Sequence, residues 1–205
     1  MRDLGVYAGE LAAMGSATVY EAAGRQGALA IAFTPVDPAS AVAGPARLVV
    51  CPQGDNLPIH RAVAASAPGD ILVVDAGGYT GAGYWGEILT VAAQARGVAG
   101  LVILGSVRDS RAIAARGFPV FHRGLCIAAA TKLAPLEEPP SVLEFAGQTI
   151  RSGDFVVADA DGVAVIPMAR VEEVLAASRK RVDAERHTMA QLQEGKTTLE
   201  LFGWR

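Results

Sequence analysis

The chain has 205 residues, 51% hydrophobic and 19% charged, with a net charge of −3. This balance excludes a disordered chain, and the length suits one domain, residues 1–205, with a sizeable core. No block of Lys and Arg stands out, which argues against nucleic acid as a partner, and no apolar run approaches the ~20 residues of a membrane span. In chain order, residues 6–26 read as a helix broken near Met14-Gly15-Ser16, with Ser16 or Thr18 available as the cap of the second piece. Residues 46–51 (ARLVVC) read as a strand, and Leu57 to Ala67 as a helix ended by Pro68-Gly69. Residues 70–78 (DILVVDAGG) form a strand running into glycines, and 78–86 (GYTGAGYWG) a loop. Residues 87–96 form a helix stopped by Gly97, 100–105 a strand, 108–117 a short helix stopped by glycine, and 118–124 a strand. The order β-α-β-α-β predicts parallel strands with helices packed on the sheet. Residues 155–167 (FVVADADGVAVIP) place two short strands around Asp161-Gly162, a hairpin signal, so antiparallel structure joins the α/β core.

From about Ala169 the chain turns charged and helical. Positions 171, 175, 178, 182, 185, 189 and 192 form a stripe of Val, Leu, Ser, Val, Glu, Met and Leu, interrupted by Ser178 and Glu185. This arm, with the tail TTLELFGWR, fits equally against a neighbouring subunit or its own domain. The N-terminus resembles neither a signal nor a transit peptide, and Cys51 and Cys126 stand far apart with no CxxC spacing. They read as inert core thiols in a reducing compartment, so the protein is expected to be soluble and cytoplasmic.

Ligands of open α/β sheets tend to bind at the C-terminal ends of the strands. Strand 71–76 delivers the Gly77–Gly86 loop to that edge, and strand 101–105 delivers Arg108 and Asp109 to the same place. Glycines allow close backbone approach, and the free N–H groups at the start of the next helix attract anions. No Gly-Lys-Ser/Thr follows, and Glu87 opens the helix where a pyrophosphate would lie, so a nucleotide or dinucleotide site is disfavoured. Arginine offers a planar fork for carboxylates, and aspartate is a hard ligand for Mg2+ or Mn2+. The plain alternatives are a tight glycine turn, with Asp109 capping helix 109–116 and Arg108 solvated. His122 reads as a strand residue, and His60 and His187 are isolated. No zinc spacing or nucleophile elbow occurs, and Lys132 has no context supporting a Schiff base.

The segments VAGPARLVVCPQGDNLPIHRAV, PGDILVVDAGG, WGEILTVAAQARGVAGLVILGSVRDS, GFPVFHRG and SGDFVVADADGVAVIP resemble the 4-hydroxy-4-methyl-2-oxoglutarate / 4-carboxy-4-hydroxy-2-oxoadipate aldolases. Those enzymes share a fold with the regulator of ribonuclease E activity A. The resemblance runs over about residues 11–205 and includes Glu87, twenty intervening residues, then Arg108-Asp109. It implies a layered α-β-β-type α/β domain with a parallel-containing sheet, an antiparallel hairpin and a C-terminal helix. It further implies retro-aldol release of pyruvate as an enolate, with oxaloacetate decarboxylation as a side reaction. In that reading Asp109 binds Mg2+ or Mn2+ largely through water, Arg108 contacts the pyruvoyl group, and Glu87 helps to remove the C4-hydroxyl proton. Gly83, Gly86, Glu87 and Ile88 hold the substrate carboxylate through backbone N–H groups. The family implies homotrimers or homohexamers with inter-subunit sites, a neighbour's Glu185 completing the metal site and Glu194 the second choice. Glu87 favours the enzyme over the alternative, a non-catalytic regulator that binds and inhibits another enzyme such as a ribonuclease. This sequence departs from the family pattern at Leu104-Gly105-Ser106, Ala112, Tyr79 and the segment IAAATKLAPLEEPPSV. Those positions bear on substrate identity.

Overall fold

The computed structural model describes residues 4–204; Arg205, the last residue of the predicted tail, lies outside them. The helices α1 (Leu4–Met14) and α2 (Ser16–Ala22) precede β1 (Thr34–Pro35), β2 (Val42–Val50), α3 (Leu57–Ala65) and β3 (Ile71–Asp75). Then come β4 (Gly83–Trp85), α4 (Glu87–Ala95), β5 (Gly100–Leu104), β6 (Ser106–Val107), α5 (Ser110–Ala115), β7 (Val120–His122) and β8 (Gly124–Leu125). The strands β9 (Val142–Phe145), β10 (Gln148–Arg151), β11 (Phe155–Ala158) and β12 (Val163–Ile166) lead into α6 (Val171–Gln193) and α7 (Thr198–Phe202).

The main sheet has the order β1-β7-β5-β3-β2-β11-β12. Its centre, β7-β5-β3-β2, is parallel, and β11 and β12 join antiparallel as the predicted hairpin. Alternation along each strand divides the core. Leu72, Val74, Leu101 and Ile103 point into the cluster with Ile59 and Val63 of α3, Leu89 and Ala93 of α4 and Ile113 of α5. Ile71, Val73 and Val102 point the other way, toward Phe145 and Ile150 of the β9–β10 hairpin, where Phe33 stacks on Phe145 at 6.0 Å. Phe155, Val157 and Ile166 meet a third cluster formed with Leu11, Val19, Val171, Val174 and Leu175 of α1, α2 and α6. The result is an α/β fold of packed layers.

Several expectations are corrected. Neither Ser16 nor Thr18 caps α2. Ser16 is its first residue, and both its N–H and its hydroxyl donate to Asp159, 2.6 Å each, from the β11–β12 turn. A carboxylate distant in sequence therefore does the work of the local cap. Strand β2 starts four residues before the predicted 46, because β11 pairs with residues 42–45. The stretch read as the loop 78–86 contains β4, which pairs with β6, itself paired with β8, in a second, parallel sheet. The β9–β10 hairpin was not expected; its turn is Ala146-Gly147, both at positive φ, and alanine disguises the turn. The breaks at Gly15, Gly97 and Gly117 fall as predicted, each glycine at positive φ. The stripe on α6 is buried at Val171, Leu175 and Ser178 against α1 and α2, whereas Met189 is 55% exposed.

Candidate functional site

Strands β3 and β5 run parallel in register, Asp75 beside Leu104, so the chain leaves both at one edge. Positive φ at Gly77 and Gly78 turns the chain there, and the Gly78 N–H donates to Leu104 O at 3.0 Å. The loop returns as β4, anchored by Tyr84 and Trp85, both fully buried. Tyr84 Oη accepts from the Gly54 N–H at 2.6 Å, Trp85 Nε1 donates to Thr90 Oγ1 at 2.7 Å, and Trp85 stacks on Phe118. Ser106, one of the departures from the family pattern, is wholly buried; its hydroxyl meets Ala82 O at 2.7 Å and Thr80 O at 3.1 Å, tying β6 to the loop. Tyr79 packs partly buried on the same core, Leu104 packs on the opposite face, and nothing in the structure explains Ala112.

On this frame Arg108 and Asp109 follow β6. The Arg108 N–H donates to Trp85 O at 2.8 Å, and Asp109 takes a left-handed conformation, φ 59°, uncommon outside glycine but tolerated by aspartate. The side chain of Arg108 lies along the backbone of β4. A Cβ placed on Gly86 would meet Asp109 Oδ2 at 2.5 Å and Arg108 Cγ at 3.1 Å, and one on Gly83 would meet Cys126 O at 2.4 Å and Arg108 Cβ at 3.2 Å. Gly86 is therefore a space taken by the charged pair, whereas Gly83 makes room first for the Cys126 carbonyl and then for the Arg108 side chain.

Asp109 does not cap its own helix through its side chain. Its Oδ2 instead accepts the Glu87 N–H at 3.0 Å, bridging to the start of α4. This corrects the expectation that the Glu87 N–H is available to a substrate carboxylate. Ile88 and Leu89 remain as first-turn donors without an intrahelical acceptor. Arg108 Nε stands 3.6 Å from Asp109 Oδ2, a loose contact with both side chains 40% exposed. The terminal guanidinium nitrogens of Arg108 and Oδ1 of Asp109 have no partner among the described residues.

Glu87 is held by a residue the sequence did not single out. Arg116, at the end of α5, donates to Glu87 Oε1 from Nε at 3.0 Å and Nη2 at 2.6 Å, leaving Oε2 open. Only the packing of α4 beside α5 brings the two together.

A cavity of about 120 Å3 is lined by Gly83, Gly86, Ile88, Arg108 and Asp109, and also by Asn56, His60 and Lys132. Asn56 is buried; its Nδ2 donates to Tyr84 O at 2.8 Å and its Oδ1 has no partner among the described residues. Burial, and then the charge of Lys132, hold His60 below the usual imidazole range. No sequence spacing links these three to Arg108; they converge because α3 and the 129–132 segment flank β4. His122 is buried in β7, with its pKa lowered by burial, and His187 contacts Gln191 on exposed α6. Burial, reinforced by Asp55, pushes the Cys51 thiol up to about 12, in keeping with an inert core residue; Cys126 is half-buried.

Among the described residues no group of three His, Cys, Asp or Glu side chains is placed to hold a metal. A hydrated Mg2+ needs only one or two carboxylates besides waters and substrate oxygens, so Asp109, with Oδ1 open, fits such an ion. Glu185 pairs with Arg181 at 2.8 Å and does not line the cavity of its own chain. Glu194 ends α6 and does not line it either.

Residues 16–165 match the RraA-like family, Aldolase/RraA. The chain belongs to that family. It is 40% identical over 149 residues to a Halalkalibacterium halodurans protein named "Putative 4-hydroxy-4-methyl-2-oxoglutarate aldolase", spanning 72% of this chain and 70% of that one. Streptomyces coelicolor RraAS2, described as an unusual member of the RNase ES inhibitor RraA family, superposes with a TM-score of 0.79 at 26% identity, over 92% of this chain and 98% of that one. The RNA-processing inhibitor RraA from Thermus thermophilis gives 0.63 at 26% identity, over 68% and 84%. Among the described residues no helix is long and apolar enough to cross a membrane.

Proposed function

We propose that the protein is a divalent-metal-dependent pyruvate aldolase, a carbon–carbon lyase. It cleaves a 4-hydroxy-2-oxo di- or tricarboxylic acid to pyruvate and a second oxo acid, and decarboxylates oxaloacetate as a side reaction. The observation that carries this reading is the disposition of Arg108 and Asp109: adjacent at one cavity, yet loosely paired at 3.6 Å, each with open polar atoms. The relative named as an aldolase supports it.

In this reading the C3–C4 bond breaks, its electron pair becomes the pyruvate enolate, and the C4-hydroxyl proton leaves. Arg108 donates to the 2-oxo oxygen, where negative charge develops. Asp109 holds the ion, and Mg2+ or Mn2+ supplies Lewis acidity to the 2-oxo acid when bound. The first-turn N–H groups of Ile88 and Leu89 serve the substrate carboxylate. Glu87, oriented by Arg116, receives the proton at Oε2 through a water. The exposed apolar side chains of the C-terminal arm, Met189, Leu199, Phe202 and Trp204, support its packing on a neighbour in a homotrimer or homohexamer, which would bring Glu185 to a second chain's Asp109.

The test is pyruvate release from 4-hydroxy-2-oxo acids and oxaloacetate with Mg2+ or Mn2+, coupled to lactate dehydrogenase. Arg108→Ala should abolish turnover while leaving circular dichroism unchanged. Mixed Asp109→Ala and Glu185→Ala subunits should regain activity if one site draws on two chains. A wild type that releases no metal-dependent pyruvate, indistinguishable from Asp109→Ala, leaves the second reading: a regulator that binds and inhibits another enzyme such as a ribonuclease. The likeness to two RraA structures favours that alternative.

A further inference from the structure

A second cavity, of about 600 Å3, shares no lining residue with the one at Arg108. Its floor is the end of β2, with Leu48 and Val50, and one wall is the side of α3 that carries Pro58, Ala62 and Ala65. Its roof is the strap 134–140, part of the segment in which this sequence departs from the family pattern. The strap is tied down at both ends. Arg61 donates to Ala134 O at 3.1 Å and to Pro135 O, and the Ser152 N–H donates to Ser141 O at 2.9 Å. Between these ties, residues 136–140 make no backbone hydrogen bond among the described residues. Pro139 and Pro140 have no N–H to satisfy, so the strap stands off the sheet without leaving a donor unpaired there. Apolar surface is left open as a result: Val50 is 48% exposed and Leu136, on the strap, 81%. Gaps in a packed core are seldom larger than a water molecule, whereas small-molecule sites run to roughly 300–1,000 Å3. By size this cavity belongs with the sites.

The lining sets the ligand class. Among the described residues that form it, none is aromatic and none carries a hydroxyl, amide or imidazole. It therefore offers no platform for a nucleobase and no side-chain partners for a sugar, and its walls suit an aliphatic body. Four charged side chains remain. Arg61 turns its terminal nitrogens to the strap carbonyls. Glu137 and Glu138 lie on the exposed strap, where water and salt screen them. Arg47 differs: its side chain is only 29% exposed, its Nε donates to Asp70 Oδ2 at 2.7 Å, and its terminal nitrogens have no partner among the described residues. Asp70 is buried and also accepts the Ala67 N–H at 2.9 Å, so it fixes the guanidinium from behind. It engages only Nε, and the rest of the fork is free to grip a carboxylate. A second carboxylate on the same molecule would meet Glu137 and Glu138 at the roof. We propose that this cavity binds an aliphatic monocarboxylate, with its carboxylate on Arg47 and its hydrocarbon body between β2, α3 and the strap. The proposal does not depend on the aldolase reading.

The experiment titrates butyrate, hexanoate and octanoate into the full-length protein by calorimetry, without added metal. Affinity should rise about fourfold per added methylene as the chain fills the cavity. Octanoate should bind about tenfold more tightly than octanol, which has the same chain without the charge, and more tightly than suberate, which adds a second carboxylate. Arg47→Lys should keep the preference over octanol, and Arg47→Gln should lose it. Ala62→Phe, which fills the cavity, should abolish octanoate binding, with Ala65→Phe as the second variant if the first fails to fold. Asp109→Ala should bind octanoate as the wild type does. The proposal is overturned if octanoate shows no saturable binding at about 1 mM, if octanol binds equally well, or if the cavity-filling variants bind octanoate unchanged. Loss of binding in Asp109→Ala would put the ligand at the Arg108 cavity and overturn it as well. An Ala62→Phe protein that falls apart from oligomer to monomer on gel filtration would mean that a second copy fills the cavity, and the ligand assignment would fail.

Discussion

Gly86→Ala adds one methyl group where the Arg108-Asp109 pair crosses the backbone. The φ of Gly86 is −158°, so alanine meets no backbone penalty there, and any effect comes from the methyl itself. The new carbon would lie 2.5 Å from Asp109 Oδ2, 3.1 Å from Arg108 Cγ and 3.3 Å from Arg108 Nε. Restoring an ordinary contact requires the carboxylate to retreat by roughly 0.9 Å. That retreat breaks the 3.0 Å bond from the Glu87 N–H to Oδ2. The bond is charge-assisted but partly exposed, so the loss of stability should be about 1 kcal/mol. Displacing a catalytic group by about 1 Å costs on the order of a hundredfold in rate. Lactate-dehydrogenase-coupled turnover with Mg2+, together with urea unfolding, separates the two effects. The expected result is a folded protein with kcat/KM down about a hundredfold. Gly9→Ala, in the interior of α1 with nothing within 4 Å of its added carbon, is the control and should leave turnover unchanged. A folded Gly86→Ala protein with wild-type turnover would refute the assignment of chemistry to the Arg108-Asp109 geometry.

Three further outcomes follow from the framework around the site. Ser106→Ala strips a buried hydroxyl from Thr80 O and Ala82 O and should destabilise the protein by about 1–2 kcal/mol in urea titration; a neutral effect would mean those carbonyls find other donors. Asp159→Ala removes the remote cap of α2 and the turn bonds to the Asp161 and Gly162 N–H groups, so unfolding free energy should fall by about 2 kcal/mol, whereas Thr18→Ala should change it little. Burial by itself would raise the pKa of Asp55, but bonds from Leu133, Thr131, Leu57 and Ala134 outweigh it and hold the carboxyl below its usual value. The stability Asp55 contributes is therefore fully present above the unfolded pKa of about 3.9 and is lost as pH falls through the lower folded value. Asp55→Asn should flatten that acid limb of the unfolding curve, and an unchanged limb would show that other carboxylates dominate it.

The legible parts of this protein are those whose cause lies within a few residues. Hydrophobic runs at 71–75 and 100–104, punctuated by glycines at 77, 78 and 97, declare parallel strands and helix stops from local rules alone. Topology then follows from the handedness and shortness of β-α-β connections, so the meeting of the glycine loop with Arg108 could be inferred without coordinates. The β9–β10 hairpin was hidden because its turn uses Ala146-Gly147, which no strong turn dipeptide announces. Strand β4 was hidden because three residues rich in glycine and aromatics read as loop until β6 supplies a partner.

The sequence by itself determined the α/β class and the juxtaposition of Gly86, Glu87, Arg108 and Asp109, because these depend on strand order and on what each strand end carries. Tertiary structure alone decided how the charges are shared. Asp109 caps α4 instead of its own helix, Arg116 takes Glu87, and Asp159 caps α2 from over a hundred residues away. It also brought Asn56, His60 and Lys132 to the cavity of Arg108. Hydrogen-bond and ion-pair partners form between groups within about 3–4 Å in space, and packing of separate elements sets that distance without leaving a mark in sequence spacing.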